Sequence, residues 1–227
     1  MRRLLAFVLP LALTACDATR LSSDVDQDRI FARYELIYDE ANDRTVPRAS
    51  FRLGDGEGAL IRLEGDASVQ FEGEALQLEG PQGLGSYDAT LRGLVSEGSF
   101  RYTGSDGRAF VNTARVRSIA LPSSLPAADR DAAYEVTWEG GPVGPDEEVR
   151  LALYQVGVDA RVALASTAER GATSVSVPRS ELRGLRPGEA TVLLTRFTKS
   201  SLEAGTRAGG EVVGEYGAPQ QVVPIVD

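Results

Sequence analysis

Four acidic residues near the N-terminus have the spacing of ligands in a calcium-binding loop. Asp24, Asp26 and Asp28 alternate along the chain, and Glu35 follows at the twelfth position counted from Asp24. The sixth position of such a loop needs glycine for a sharp turn, and here it is Arg29. We therefore predict an acidic, solvated segment at this place and no metal site.

A lysine beside serines could form a nucleophile and its base. Lys199 directly precedes Ser200 and Ser201, but a Ser-Lys pair requires side-chain contact and a lysine whose pKa is lowered by burial. Adjacent residues of a strand point to opposite faces of the sheet. We therefore predict a polar strand end rather than a catalytic pair.

Paired carboxylates are a further possible source of chemistry. Two acids at a suitable separation hydrolyse glycosides, one as acid and the other as base or nucleophile. The chain has 33 Asp and Glu residues, so the sequence alone cannot select a pair. A carboxylate-dependent enzyme acting on a glycan stays open as an alternative.

The residue types that are absent exclude several kinds of site. The chain has no histidine and one cysteine. It therefore has no Ser-His-Asp triad, no Cys-His pair, no imidazole metal ligand and no internal disulfide bond. We predict no catalytic residue, no cofactor and no metal site, and we expect a protein that is not an enzyme.

The charge balance is acidic. The net charge is −9, from 24 Lys and Arg against 33 Asp and Glu, and no basic stripe offsets it. An acidic surface repels the phosphate backbone of nucleic acids. Nucleic acid is therefore excluded as an expected partner, and attachment to an anionic membrane would need something other than surface charge.

The N-terminus has the pattern of an export signal. Arg2 and Arg3 precede an apolar run over 4–13, which is too short to span a hydrocarbon core of about 30 Å. The run ends in the sequence Leu-Thr-Ala-Cys at 13–16, which resembles the lipobox of bacterial lipoproteins. That resemblance implies cleavage of a signal peptide over 1–15 and attachment of diacylglycerol to Cys16.

A lipid on Cys16 would place the protein on a membrane of the bacterial cell envelope. Each buried CH₂ of an acyl chain contributes about 0.8 kcal/mol to the anchoring. Asp17 resembles the signal that retains lipoproteins in the inner membrane of enteric bacteria, a rule that does not hold in every lineage. The choice between inner and outer membrane therefore stays open. Residues 16–29 are acidic and lack periodicity, so we expect them to form a flexible tether.

The rest of the chain predicts an all-β fold. Apolar residues alternate with polar ones from Ile30 onward, as in half-buried antiparallel strands, and glycine-rich breaks supply the turns. The alternating apolar pairs include Val162 and Leu164. Aromatic residues also fall on the apolar faces of the predicted strands, where we expect them to be core: Tyr34, Tyr38, Phe71, Tyr87, Phe100, Tyr102 and Trp138. The segment Leu-Pro-Ser-Ser-Leu-Pro at 121–126 has the composition of a linker. We therefore predict two antiparallel β-sandwich domains, one over 30–120 and one over 122–227.

The second predicted domain resembles an immunoglobulin-like or fibronectin-type-III-like sandwich. Val136-Thr137-Trp138 is similar to the strand that carries the core tryptophan in such domains. Leu185-Arg186-Pro187-Gly188 is similar to the corner before their F strand, although the usual tyrosine after it is missing. The first domain resembles the N-terminal half of uncharacterised bacterial lipoproteins.

This fold hosts many unrelated functions, so the resemblance implies a fold and no activity. We expect a non-catalytic envelope lipoprotein that presents its β-domains to an envelope protein or a cell-wall polysaccharide. A purely structural spacer is the remaining alternative.

Overall fold

The computed structural model describes residues 19–79, 86–157 and 159–227. Within these ranges the fold is all-β, as the alternation of apolar residues predicts. Cys16, Asp17 and the predicted signal peptide lie outside the described residues. No helix in the described part of the chain is long and apolar enough to cross a membrane.

The strands fall into two series along the chain. Those of the first series are β1 (Arg20–Leu21), β2 (Ile30–Asp39), β3 (Arg44–Leu53), β4 (Ile61–Arg62), β5 (Ser68–Phe71), β6 (Glu74–Ala75), β7 (Gln77–Leu78), β8 (Tyr87–Asp88), β9 (Leu91–Arg92), β10 (Glu97–Thr103) and β11 (Ala109–Arg115). Those of the second are β12 (Ala128–Asp129), β13 (Tyr134–Thr137), β14 (Glu147–Gln155), β15 (Arg161–Thr167), β16 (Ser174–Val177), β17 (Gly188–Ser201), β18 (Gly210–Gly217) and β19 (Gln221–Val226). One α-helical turn, α1 (Arg179–Leu182), and 3-10 turns at Ser22–Asp24, Gln27–Arg29 and Glu40–Asn42 complete the described elements.

One sheet extends through both series. The strand β18 pairs with β17 on one side and, in parallel, with β2 on the other, so that Val212 lies opposite Tyr34. The sheet continues from β2 to β3 and β8, and from β17 to β14 and β15. Hydrogen bonds therefore connect residues on either side of the linker predicted at 121–126. Most ladders are antiparallel, and β18–β2, β1–β4 and β12–β19 are parallel.

Aromatic rings fill the space between this large sheet and the four-stranded sheet β11-β10-β5-β6. The ring of Tyr34 stacks on that of Phe100, with centroids 5.1 Å apart, and Phe51 packs on Tyr102 at 4.7 Å. Aromatic pairs of this kind add about 0.5–1.5 kcal/mol beyond the burial of their area. The expected core aromatics are all buried: Tyr34, Tyr38, Phe71, Tyr87, Phe100, Tyr102 and Trp138.

The core of the second series lies between the large sheet and the pair β13–β16. Leu151 and Leu153 of β14 are fully buried, as the alternation predicts. The prediction is wrong for Val162 and Leu164 of β15, which are 53% and 58% exposed, while Ala163 between them is fully buried. β15 pairs only with β14, and the small alanine lies on the core side of this edge strand. Its larger apolar side chains therefore face outward.

Residues 20–29 pack onto the folded body rather than forming a flexible tether. Ser22 is fully buried, and its hydroxyl accepts a hydrogen bond from the N–H of Glu64 at 2.9 Å. The side chain of Gln27 donates to the carbonyl of Ser22 and accepts from the hydroxyl of Tyr102 at 3.2 Å. The described part of the predicted tether is therefore held against the fold by these contacts.

Candidate functional site

The outer face of the large sheet carries most of the polar side chains of its central strands. The strand β2 alternates strictly, so Tyr34 and Leu36 face the core while Arg33 and Glu35 face outward. The register places outward residues of β3 and β18 beside them, since Ser50 lies opposite Arg33. The same pattern of period two that builds the core therefore also builds an ordered polar surface.

A cleft of about 510 Å³ lies on this outer face. Its floor comes from β2 and β3, and one wall comes from the loop that follows β3, over residues 54–60. The cleft is lined by two apolar side chains, two serines, a glycine, three arginines and three glutamates: Phe31, Leu60, Ser50, Ser86, Gly56, Arg33, Arg48, Arg52, Glu35, Glu57 and Glu211. The volume is within the range of about 300–1,000 Å³ that is usual for ligand sites.

The glycines of this loop allow it to fold over the sheet. Gly54 has a φ of +89°, which a residue with a side chain rarely adopts. A Cβ at Gly58 would collide with the carbonyl oxygen of Leu53. Arg52 and Leu60 form a bridge at the base of the loop. The glycine-rich run therefore forms a wall of the cleft.

Two arginines of the cleft are already neutralised by carboxylates. Arg33 donates to Glu35 at 2.8 Å and to Glu211 of β18 at 2.7 Å. Arg48 lies 3.3 Å from Asp88 of β8. These ion pairs hold charged groups in fixed positions, and their remaining donors and acceptors still face the cleft.

Arg52 differs from Arg33 and Arg48 in the partners of its guanidinium. Its Nη1 donates to the carbonyl oxygen of Gly58 at 2.8 Å, which fixes the orientation of the guanidinium. Among the described residues no carboxylate lies within 4.0 Å of it, and no hydrogen bond involves its Nε or Nη2. The cleft therefore contains a positioned guanidinium that forms no ion pair with any residue the structure describes.

A second, smaller groove of about 340 Å³ adjoins the cleft and shares Arg48 with it. Glu215 of β18 lines this groove. Burial raises the pKa of Glu215 above its ordinary value, and the nearby charge of Glu35 raises it further. The outer face therefore also contains a pair of acids on neighbouring strands, one of which holds its proton more strongly than a free glutamate.

The acids with calcium-like spacing do not converge. Asp26 accepts a hydrogen bond from the N–H of Asp28 at 3.0 Å, and Asp28 pairs with Arg108 at 2.8 Å. Glu35 lies in the sheet, paired with Arg33. Across the described residues no group of three or more potential metal ligands comes together.

The lysine and serines at the end of β17 do not form a nucleophile pair. Lys199 lies opposite Val213 in the register and Ser200 opposite Val212, so their side chains lie on opposite faces of the strand. Ser201 shares the face of Lys199, but no hydrogen bond joins the two side chains in the described structure. The Nζ of Lys199 is 4.0 Å from Glu148. The polar strand end expected from the sequence is therefore confirmed.

The cleft was not among the sites predicted from the sequence. The site that the sequence predicts is the lipidated Cys16, which the structure does not describe. The signal that could have located the cleft is the regular spacing of outward polar residues, Arg33-x-Glu35 on one strand and Arg48-x-Ser50-x-Arg52 on the next. This spacing gains meaning only when the two strands are known to be neighbours.

No protein-family model matches this sequence, and a comparison with curated proteins finds no match.

Proposed function

We propose that this chain is a non-catalytic lipoprotein of the bacterial cell envelope. In this proposal residues 1–15 are removed as a signal peptide, and the lipid on Cys16 attaches the protein to a membrane. The folded body then presents the outer face of its large sheet to an envelope protein or a cell-wall polysaccharide. Whether the membrane is the inner or the outer one is left open by Asp17.

The observation that supports a binding role is the cleft beside β2 and β3. It is concave, open to solvent and built on the central strands of a large sheet, which hold its side chains in place. Binding sites commonly combine an apolar wall with a few positioned polar groups. Here Phe31 and Leu60 supply the apolar wall, and Arg33, Ser50 and Arg52 supply the polar groups.

We further propose that the two halves are sandwich domains fused through a shared sheet. The strands β15, β14 and β17 correspond to the C′, C and F strands of an immunoglobulin-like or fibronectin-type-III-like sandwich. The strands β18 and β19, which both pair with β17, together take the place of strand G. The pair β13–β16 then corresponds to strands B and E of the opposing sheet. The parallel pairing of β18 with β2 would hold the N-terminal sandwich against the C-terminal one.

The anchor is tested by changing its cysteine. We expect wild-type protein in the membrane fraction and the Cys16→Ala variant as an unprocessed precursor or a soluble protein. The measurement is fractionation of cells with detection of a C-terminal tag, and mass spectrometry of the mature N-terminus. Unchanged membrane association of Cys16→Ala would contradict the lipid anchor.

The binding role is tested by filling the cleft. Ser50→Trp places a large side chain on its floor, and Thr137→Trp, at an exposed position of β13, is the matched control. We expect affinity purification from crosslinked cells to recover a stoichiometric partner, or wall fragments, with wild type and the control but not with Ser50→Trp. Equal recovery with all three proteins would contradict the cleft as the binding site.

A second function, hydrolysis of a glycan by carboxylates, is favoured by Glu215 and Glu35. A raised pKa suits a general acid, and a neighbouring carboxylate suits its partner. The test is a panel of polysaccharides assayed with wild type and Glu215→Gln. Hydrolysis that is lost in Glu215→Gln would establish an enzyme, and no hydrolysis by wild type would reject this second function.

A further inference from the structure

The guanidinium of Arg52 is prepared to bind a carboxylate. An arginine binds a carboxylate most favourably through two parallel N–H donors in a planar fork. The bond from Nη1 to the carbonyl of Gly58 holds one side of the group, and the edge formed by Nε and Nη2 keeps both donors free. A ligand would therefore meet a fixed group rather than a mobile side chain, which lowers the entropic cost of binding.

The rest of the cleft favours a ligand rich in hydroxyl groups. A hydroxyl both donates and accepts hydrogen bonds, so it can bind to a surface where arginine donors and carboxylate acceptors alternate. The ion-paired set of Arg33, Glu35 and Glu211 provides such a surface, in which one arginine lies between two glutamates. Ser50 and Ser86 add hydroxyls of their own.

A peptide would form fewer favourable contacts in this cleft than a ligand rich in hydroxyl groups. Extended peptides bind strongly by adding a strand to the free edge of a sheet. Both floor strands are interior to the sheet over most of their length. β2 pairs with β18 and β3, and the other edge of β3 pairs with β9 at 44–45, with β8 at 48–49 and with Leu60 at Arg52. Among the described residues, no long run of unpaired main chain is therefore open to a peptide on the floor of the cleft.

We propose that the cleft binds an acidic sugar, with a carboxylate of the sugar on Arg52 and its hydroxyls on the ion-paired side chains around Arg33. This inference rests on the binding role proposed above and deepens it by naming the ligand as a glycan that carries carboxylates. The acidic net charge of the protein does not prevent such binding, because charges more than about 8 Å apart are largely screened at physiological ionic strength.

The test uses the full-length lipidated protein in detergent micelles with EDTA present, so that no divalent cation can bridge carboxylates. Isothermal titration compares a hexuronic-acid oligosaccharide, a neutral hexose oligosaccharide of the same length and an acidic peptide. We expect the acidic oligosaccharide to bind, and each of the other two probes to bind at least about tenfold more weakly.

The variant Arg52→Gln keeps a polar, unbranched side chain, although a shorter one, and removes its charge. We expect it to bind the acidic oligosaccharide about tenfold more weakly than wild type. The control Arg101→Gln changes an exposed arginine of β10, on the other sheet, and should bind like wild type. Thermal unfolding of each variant verifies that the fold is retained.

Several results would overturn the inference. These are no binding of the acidic oligosaccharide by wild type, equal binding by Arg52→Gln, equal binding of the neutral oligosaccharide, and tighter binding of the peptide. The proposed binding role fails separately, when Ser50→Trp still recovers the partner from cells. Tight peptide binding together with loss of recovery by Ser50→Trp would keep the binding role and reject the acidic sugar.

Discussion

Arg196 and Glu147 form a buried ion pair at the junction of the two strand series. The Nε of Arg196 lies 3.5 Å from Glu147, and the two side chains are 0% and 7% exposed. The Nη atoms of Arg196 donate to four carbonyl oxygens, those of Ser118 and of residues 140–142, at 2.8–3.0 Å. This one side chain therefore connects β17 to the end of the first series and to the turn after β13.

Replacing this arginine by an apolar residue should destabilise the protein strongly. Arg196→Met would leave the four carbonyls without their donor, while Glu147 keeps its bonds from Arg117 and from the N–H of Gly144. Each buried polar group left unpaired costs about 1–3 kcal/mol. The measurement is the free energy of unfolding from urea denaturation. Arg101→Met, at an exposed position of β10, is the control and should change this free energy by less than about 0.5 kcal/mol. A loss below about 1 kcal/mol for Arg196→Met would contradict the role of the pair.

Removing a ring from the aromatic core should also destabilise the protein strongly. Phe100 is fully buried and stacks on Tyr34, so Phe100→Ala removes a ring and leaves a cavity. We expect a loss of about 3–5 kcal/mol in the free energy of unfolding. Val111→Ala of β11, where the side chain is 41% exposed, should cost far less. Similar losses for the two variants would show that the two sheets do not pack through these rings.

Glu215 should make the protein less stable as the pH rises. Burial raises the pKa of Glu215 above 4.5, so the folded state holds a proton that the unfolded state releases between 4.5 and the raised value. We expect Glu215→Gln to remove this loss, and therefore to be more stable relative to wild type at pH 7 than at pH 4. Urea denaturation at both values measures the difference. The control Glu189→Gln, at an exposed position of β17, should show no such change, and a parallel pH dependence of wild type and Glu215→Gln would exclude the effect.

Asp131 should titrate at unusually low pH. Hydrogen bonds from Arg183 and Arg179 lower the pKa of Asp131 from 3.8 to about 2. The stabilisation from these pairs is therefore complete above 3.8 and is lost as the pH falls through about 2. Carboxyl ¹³C chemical shifts should give a pKa of Asp131 near 2 in wild type, rising toward 3.8 in the double variant Arg179→Gln/Arg183→Gln. A pKa of 3.8 in wild type would show that the pairs are not formed in solution.

The sequence predicted the fold class because period-two alternation determines which face of a strand is buried. Tyr34 and Phe100 were placed in the core correctly for this reason. The alternation was ambiguous in β15, where Ala163 and Ala165 alternate with Val162 and Leu164, so either face of the strand could have been the buried one. The packing of residues 20–29 was missed because its contacts, such as the bond between Gln27 and Tyr102, join residues distant in sequence.

The candidate site could not be predicted because it depends on strand pairing. Arg33 and Ser50 are opposite one another in the structure. They belong to different strands, and the sequence does not indicate the register that places one beside the other. The parallel contact between β18 and β2 brings Glu211 to Arg33 from the other end of the chain. A group of charged residues that comes from three strands has no pattern in any one segment of the sequence. The lipobox at 13–16 lies within four consecutive residues and could therefore be recognised.

The most direct test of the proposed binding role is site-specific photocrosslinking in living cells. A photoreactive amino acid replaces Ser50 on the cleft floor in one strain and Thr137 on β13 in another, both in the full-length lipoprotein. We predict that irradiation at position 50 gives a discrete crosslinked species, either a single protein or a ladder of wall fragments, and that position 137 gives none. The absence of any crosslink at position 50, or the same species from both positions, would contradict a partner bound in the cleft.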